Sequence, residues 1–470
     1  MNLDWFVRQL EFPDRSRKWL QGLGVRDLDH GVRDLEDLAR HAGPDPLPLL
    51  ARIAGQFDTY LPRSSDPGMA LNNFERYVAA LPDPRSELAR LASRPRTTEI
   101  LLQVFSTSQH LSDLLIRSPE LIDWLQSGAD RRDRDTLISD LWRSLTDEAD
   151  GEDARLILRR FRLRETLRIG YGDVVRGFPL EVTTADLSCL ADACVEAAAR
   201  LARASIERRY GSPMRVDGKP AQFAVLGLGK LGGVELNYSS DIDLIFLYDE
   251  DGVTAGPRAV TNAEFFARMS SEVVRLLSDH TTLGIAYRVD MRLRPEGDQG
   301  LLARSLDATM NYYVNRGRTW ERQALIKCRT VAGDAELGRR FIAAITPFVY
   351  RRYLSASEIS EIKSLKRRIE QRTVSTGRAE FEVKTGHGGI RDVEFVVQFL
   401  QLLHGGEYPI VRSPNTLTAI HRLEQVGSLT AEERSVMDDT YRFLRQVEHR
   451  LQMLFDRQTH EMPRQMEELR

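Results

Sequence analysis

The chain has 470 residues, of which 42% are apolar and 29% charged, and its formal net charge is −3. This is ordinary globular composition over a length that implies about three domains; it excludes a disordered polypeptide and a globally basic nucleic-acid binder. The only cysteines, Cys189, Cys194 and Cys328, are not in metal-ligand pairs, which suits a reducing cytosol and excludes a disulfide scaffold.

The N-terminus, Met1-Asn2-Leu3-Asp4-Trp5, lacks a charged region followed by an apolar run, and no stretch is apolar enough over a bilayer's width. The expectation is a cytoplasmic protein with no signal peptide, no membrane and no nucleic acid among its partners. Residues 1 to about 215 read as helices. Leu111–Leu125 and Leu156–Ile169 carry apolar residues at three- and four-residue steps, and a long Ala-, Leu- and Arg-rich helix over Ala185–Tyr210 ends at Gly211. Breaks fall at Pro62–Pro67 and at the acidic stretch Asp147–Asp153.

The character changes at Gln222. Phe223–Leu228 is a short apolar run that predicts a buried strand, and Gly229-Lys230-Leu231-Gly232-Gly233 predicts a tight loop. Asp241–Tyr248 predicts a second strand, Asn262–Asp279 an amphipathic helix, and Ile285–Leu293 a third strand. After Leu306 the pattern is helical to the end, punctuated by the glycine loop Thr385–Gly389. The fold class is therefore α+β: a mainly helical protein around a small mixed sheet.

Asp241 and Asp243 are two apart, so on a strand they share a face. Paired carboxylates in an apolar run repel and are costly to bury, and a divalent cation removes that cost. Magnesium takes hard oxygen ligands and leaves room for phosphate oxygens, and such a site supports in-line displacement at phosphorus. Asp290, on the next predicted strand, would complete the set of metal and catalytic carboxylates, Asp241, Asp243 and Asp290, if that strand lies alongside. Gly232 and Gly233 would let backbone N–H groups cradle a nucleotide's phosphates, and Ser240, with Ser239, adds a hydroxyl donor. Arg292 and Arg294 could neutralise phosphate charge; equally, they could be salt-bridge partners of the aspartates.

The segment Gly229-Lys230-Leu231-Gly232-Gly233-Val234-Glu235-Leu236-Asn237-Tyr238-Ser239-Ser240-Asp241-Ile242-Asp243 resembles the glutamine synthetase adenylyltransferase/adenylyl-removase family, within the polymerase β-like nucleotidyltransferases. So do Val289-Asp290-Met291-Arg292-Leu293-Arg294-Pro295, Trp320–Lys327, Gly388–Phe395, and Tyr441–Arg445 with Glu448–Gln452, in one collinear order from about residue 95. With the acidic break at Asp147–Asp153 as the boundary, the expected domains are a helical region over 1–150, a nucleotidyltransferase domain over 151–345 and a C-terminal helical bundle over 346–470. The resemblance implies magnesium, and ATP or ADP and inorganic phosphate as substrates or products. It implies adenylylated glutamine synthetase as the protein substrate and a PII-type signal protein as regulator. Asp-Met-Arg-Leu-Arg-Pro around Asp290, and Trp-Glu-Arg with Lys327, are similar to the half that removes AMP by phosphorolysis. The alternatives are ATP-dependent adenylylation, or a non-catalytic nucleotide- or PII-sensing module. Only one Ser-Asp-x-Asp motif is present, so a second, adenylylating half is expected to be missing, and Glu296 departs from the family pattern after Pro295.

Other motifs have two readings each. Lys327 could reach a phosphate or be solvated. Arg391, Glu394 and Gln398 share a helix face that either lines the site or is an exposed polar side. Arg445, Glu448, His449 and Gln452 form a similar stripe, with Phe443, Leu444, Val447 and Leu451 as core. His449 has no neighbouring ligand in metal spacing and is expected to be structural or solvated. The basic run Lys363–Arg372 reads as the charged face of a helix.

Overall fold

The computed structural model describes residues 13–43, 47–128, 130–147, 153–352 and 382–455, with a few positions between 359 and 367. The run Lys363–Arg372 falls almost wholly outside them. The described residues fall into two compact units: those within 13–131, 163–179 and 453–455 in one, and those within 132–162 and 180–452 in the other.

The first unit contains short helices: α1 (Pro13–Gly22), α2 (Leu28–His41), α3 (Leu47–Tyr60), α4 (Pro67–Ala79), α5 (Pro84–Ser93), α6 (Pro95–Phe105), α7 (Gln109–Arg117) and α8 (Leu121–Gly128). Asp27, Asp66, Asp83 and Ser108 cap α2, α4, α5 and α7 by accepting a first-turn N–H. The helical periodicity expected over Leu111–Leu125 is shared between two helices. Pro119 cannot continue α7, and the chain turns at Ser118-Pro119 before α8.

The second unit holds the sheet. Helices α9 (Arg134–Asp147), α10 (Ala154–Val174, shared with the first unit) and α11 (Leu180–Tyr210) precede strands β1 (Ser212–Arg215) and β2 (Phe223–Leu228). The expected loop after β2 is one helical turn, α12 (Gly229–Gly232). β3 (Ile242–Tyr248), β4 (Gly252–Ala255), α13 (Asn262–Ser278), β5 (Val289–Asp290), β6 (Ala303–Ser305), α14 (Leu306–Arg316), α15 (Thr319–Leu325), β7 (Arg329–Gly333) and α16 (Ala335–Val349) follow. After the undescribed segment come α17 (Ile390–His404), α18 (Thr416–Gln425) and α19 (Ala431–Phe455).

The main sheet has the order β5-β3-β2-β7, with β6 also on β3. β2 is antiparallel to β3 and β7, whereas β5 and β6 are parallel to β3, so the sheet is mixed. β2 is buried at every position, which is why it reads as an unbroken apolar run. The expected strand over Ile285–Leu293 shrinks to Val289–Asp290. The Asp290 carboxylate accepts the Arg292 N–H (2.8 Å), a local turn that ends the pairing. β7 was not expected; it lies on an edge of the sheet, where Arg-Thr-Val-Ala-Gly is too short and polar to announce a strand.

One apolar core joins the sheet to α14–α17 through Leu226, Leu247, Tyr313, Phe341 and Phe395. Another, built on Ile390, Val397, Ile420, Leu423, Tyr441 and Leu451, holds α17, α18 and α19 together. Phe443, expected in that core, is 63% exposed because it lies on the opposite side of α19; Leu444 and Val447 pack against the core only in part.

Candidate active site

β3 and β5 pair parallel with Asp243 directly opposite Asp290, and Asp241 immediately precedes β3. Ile242, between the two aspartates, is fully buried, which leaves Asp241 and Asp243 on the other face. Neighbouring positions on adjacent strands stand about 5 Å apart, so the register itself sets Asp243 and Asp290 side by side, with Asp241 just before β3.

Each carboxylate has a different environment. Arg288 Nε donates to Asp241 Oδ1 (2.5 Å), and its Nη2 donates to the Ser239 carbonyl (2.5 Å). Arg292 grips Asp290 through Nε and Nη2 (2.9 and 2.5 Å to Oδ2). Burial would raise the Asp290 carboxyl, but these bonds override it and hold it below its ordinary value. Asp243 has no hydrogen-bond donor or salt-bridge partner among the described residues, and it is raised to about 6 by burial, then by Asp290 and Asp241. Lys384, in the loop before α17, and Arg292 oppose that rise. Among the described residues no three His, Cys, Asp or Glu side chains are gathered closely enough to hold a metal ion; Asp241 and Asp290 are turned to their arginines.

The segment before Asp241 is fastened from below by α19. Arg445, Glu448, His449 and Gln452 are all at most 2% exposed, so the stripe is neither solvated nor free. Arg445 Nη2 donates to the Glu235 carbonyl (2.6 Å) and to Asn237 Oδ1. Asn237 Nδ2 donates to Glu448 (2.5 Å), His449 Nε2 meets Asn237 Oδ1 (2.6 Å), and the Ser239 N–H donates to Gln452 (3.2 Å). Burial and the Arg445 charge hold His449 well below its ordinary value, so it is neutral and structural, and must be the Nε2–H tautomer to donate here. Lys230 binds both oxygens of Glu448 (2.9 Å each), and burial lowers its ammonium to about 8. Val234, a β-branched residue at φ +56°, shows how tightly the loop is constrained.

The remaining expected residues fall as follows. Gly232 closes against the Lys327 and Gly227 carbonyls, and Gly233 against the Pro414 carbonyl and Glu235, so both allow close chain approach within the fold. The Gly233 N–H already donates to Gly229 O (3.1 Å). Ser240 is half-buried beside Asp241. Arg294 donates to the carbonyls of Gly300, Met291 and Asp298 and thereby holds the turn after β5. Glu296, left-handed at φ +63°, is tied there by Arg304 and Arg316. Lys327 lies beyond the end of α15 and is buried, with Nζ on Glu235, Glu394 (3.1 Å) and Thr416 (3.2 Å). Burial would strip its proton, but Glu235 and Glu394 override that and hold it charged. Its surroundings are thus neither solvent nor an open phosphate subsite. On α17, Glu394 joins this buried cluster, Gln398 accepts from Gln323 (2.8 Å), and Arg391 is exposed.

Sequence reasoning missed Arg288 and Gly229. Arg288 alternates with Asp290 and Arg292 at a step of two, which was a readable signal. Gly229, at φ +55°, packs its Cα against Asp243, where a Cβ would collide with Oδ2.

Among proteins of known sequence, the glutamate-ammonia ligase adenylyltransferase family model matches residues 98–344, and a PII-uridylyltransferase model matches 359–470. A bifunctional glutamine synthetase adenylyltransferase/adenylyl-removing enzyme of Pseudomonas aeruginosa is 40% identical over 423 residues, 89% of this chain and 42% of that protein. The enzyme of the same description from Nitrosococcus oceani is 38% identical over 401 residues, 84% of this chain and 41% of its own length. The chain therefore spans about two-fifths of the length of these relatives. No helix among the described residues is long and apolar enough to cross a membrane.

Proposed function

The chain belongs to the glutamate-ammonia ligase adenylyltransferase family, and from that premise we propose that it removes AMP from adenylylated glutamine synthetase by phosphorolysis. An inorganic phosphate oxygen attacks the AMP phosphorus, the tyrosine oxygen leaves and takes a proton, and ADP and unmodified enzyme result. The observation that carries this reading is the in-register pair Asp243 and Asp290, with Asp243 half-buried, crowded by carboxylates and without a hydrogen-bond donor among the described residues.

The donor chemistry suits magnesium: three hard carboxylates, Asp243 and Asp290 in register and Asp241 just before β3, of which Asp241 and Asp290 would have to turn from their arginines to share one ion. Asp241, Asp243 and Asp290 would hold the ion, which when bound would polarise the phosphoryl oxygens and stabilise the departing tyrosine oxygen. The chain's own contribution is position and charge. α19 holds the Asn237–Ser239 segment rigid, so that Asp241 enters β3 at a set angle. Arg288 and Arg292, both well exposed, are the cations best placed to receive an incoming phosphate. Ser240 would add a hydroxyl beside the phosphoryl group, and the turn held by Arg294 would keep Arg292 in reach.

The direction of reaction rests on the motifs around Asp290 and Trp320, which are similar to the removing half. A PII-type protein is the proposed regulator, supported by the uridylyltransferase match over 359–470. The test is label transfer in both directions under magnesium. Phosphate-dependent release of ADP from adenylylated glutamine synthetase is expected. Transfer of AMP from ATP onto the unmodified enzyme, without phosphorolysis, would reverse the direction; neither activity would overturn the enzyme reading in favour of a sensing module.

A further inference from the structure

Two of the three carboxylates are already neutralised by the chain itself. Arg288 sits on Asp241 and Arg292 on Asp290, each at 2.5 Å, while Asp243 between them is left bare. The charge count is suggestive: two guanidinium groups carry the same charge as one divalent cation. Both arginines are substantially exposed, with side chains 45% and 73% accessible, so neither is locked in place by packing. Both extend from the β5 strand and its turn, whose Asp290 faces Asp243.

We propose that Arg288 and Arg292 are built-in placeholders for the metal ion: they satisfy Asp241 and Asp290 while the site is empty and must release them when a divalent cation is taken up. This rests on the assignment of the three aspartates as metal ligands, and it goes further in giving Arg288 a role. Arg288 acts here as a positioning residue. Its second bond, to the Ser239 carbonyl, ties the Asp241 segment to β5, so the exchange would also loosen the last turn before β3. In the loaded state the two guanidinium groups stay beside the cation, free to bind phosphate oxygens, the chemistry for which bidentate arginine is suited.

The two arginines compete with the cation for the same oxygens and repel it as like charges. Removing either must therefore tighten metal binding, the opposite of what loss of a supporting residue does. The probe is Mn2+ alone, with binding to the full chain measured by electron paramagnetic resonance, without substrate or turnover. For Arg288→Gln we expect an apparent Kd roughly threefold to tenfold lower than wild type, since one unit charge has been removed at the rim of a partly solvated site. Arg288→Lys, which keeps the charge but loses the two-point grip, should lie between. Arg292→Gln, at a more exposed position, should also tighten binding and serves if Arg288→Gln folds poorly. Unchanged or weaker Mn2+ binding in Arg288→Gln and Arg292→Gln, with wild-type binding that Asp243→Asn abolishes, would overturn the placeholder role and leave the metal assignment standing. Equal Mn2+ binding by wild type and Asp243→Asn would overturn the metal assignment, and the placeholder role with it.

Discussion

Asn237→Ala tests how the catalytic strand is held. The Asn237 side chain is 1% exposed and makes three bonds to α19: it accepts from Arg445 and His449 and donates to Glu448. Two of these partners are charged, where a hydrogen bond contributes about 1.5–3 kcal/mol, and the third is neutral, at about 0.5–1.5 kcal/mol. Arg445 keeps the Glu235 carbonyl, and Glu448 keeps Lys230, so neither charge is orphaned and the low end applies. His449 loses its one acceptor in a dry environment. The expected loss is about 3–4 kcal/mol, read as the fall in urea midpoint by far-ultraviolet circular dichroism at pH 7.5 and converted with the measured m value. Asn237→Asp should not rescue it, because a second carboxylate would then face Glu448 Oε2 at 2.5 Å. A loss below about 1 kcal/mol for Asn237→Ala would refute the view that the buried stripe of α19 anchors the loop into β3.

Asp243→Asn should abolish turnover yet raise the stability of the metal-free protein. Its carboxyl is raised to about 6 from 3.8, so the ionised form penalises the folded state above pH 6 by up to about 3 kcal/mol. The penalty is relieved as pH falls through 6 towards 3.8, so the melting-temperature gain over wild type should be largest near pH 8 and shrink by pH 5; an equal gain at both would contradict it. Asp290→Ala should cost as much activity, and retained turnover with altered stability would make Asp290 only a partner of Arg292. Lys327→Ala should destabilise by about 3–5 kcal/mol in chemical denaturation, because it leaves Glu235 and Glu394 facing each other without their ammonium; a loss under 1 kcal/mol would show the cluster to be solvated. Gly229→Ala must adopt φ +55° and displace the Asp243 carboxylate, so Mn2+ binding should weaken while circular dichroism stays native; wild-type binding would mean that Asp243 relaxes freely.

The motifs of the sequence were enough to carry the family resemblance, and local periodicity was enough for the mixed α+β class and for a strand through Asp243, with Asp241 falling just before it. An acidic pair at a step of two inside an apolar run has one face to share, and β2, buried on both sides, leaves an uninterrupted apolar signature. The amphipathic stripe of α13 was legible for the same reason. Tertiary structure alone decided which polar residues are buried. Arg445, Glu448, His449 and Gln452 repeat as any solvated helix face would, and what buries them is Asn237 and its neighbours, 211 positions away from Glu448. In sequence Lys327 reads equally as a phosphate-binding or a solvated cation; Glu235 and Glu394, 92 and 67 positions away, enclose it instead. The short pairing of β5, the edge strand β7 and the grip of Arg288 on Asp241 are likewise long-range events. Periodicity reports which side of an element is apolar; a polar side is dry or wet according to what another part of the chain brings to it, and that has no local signature.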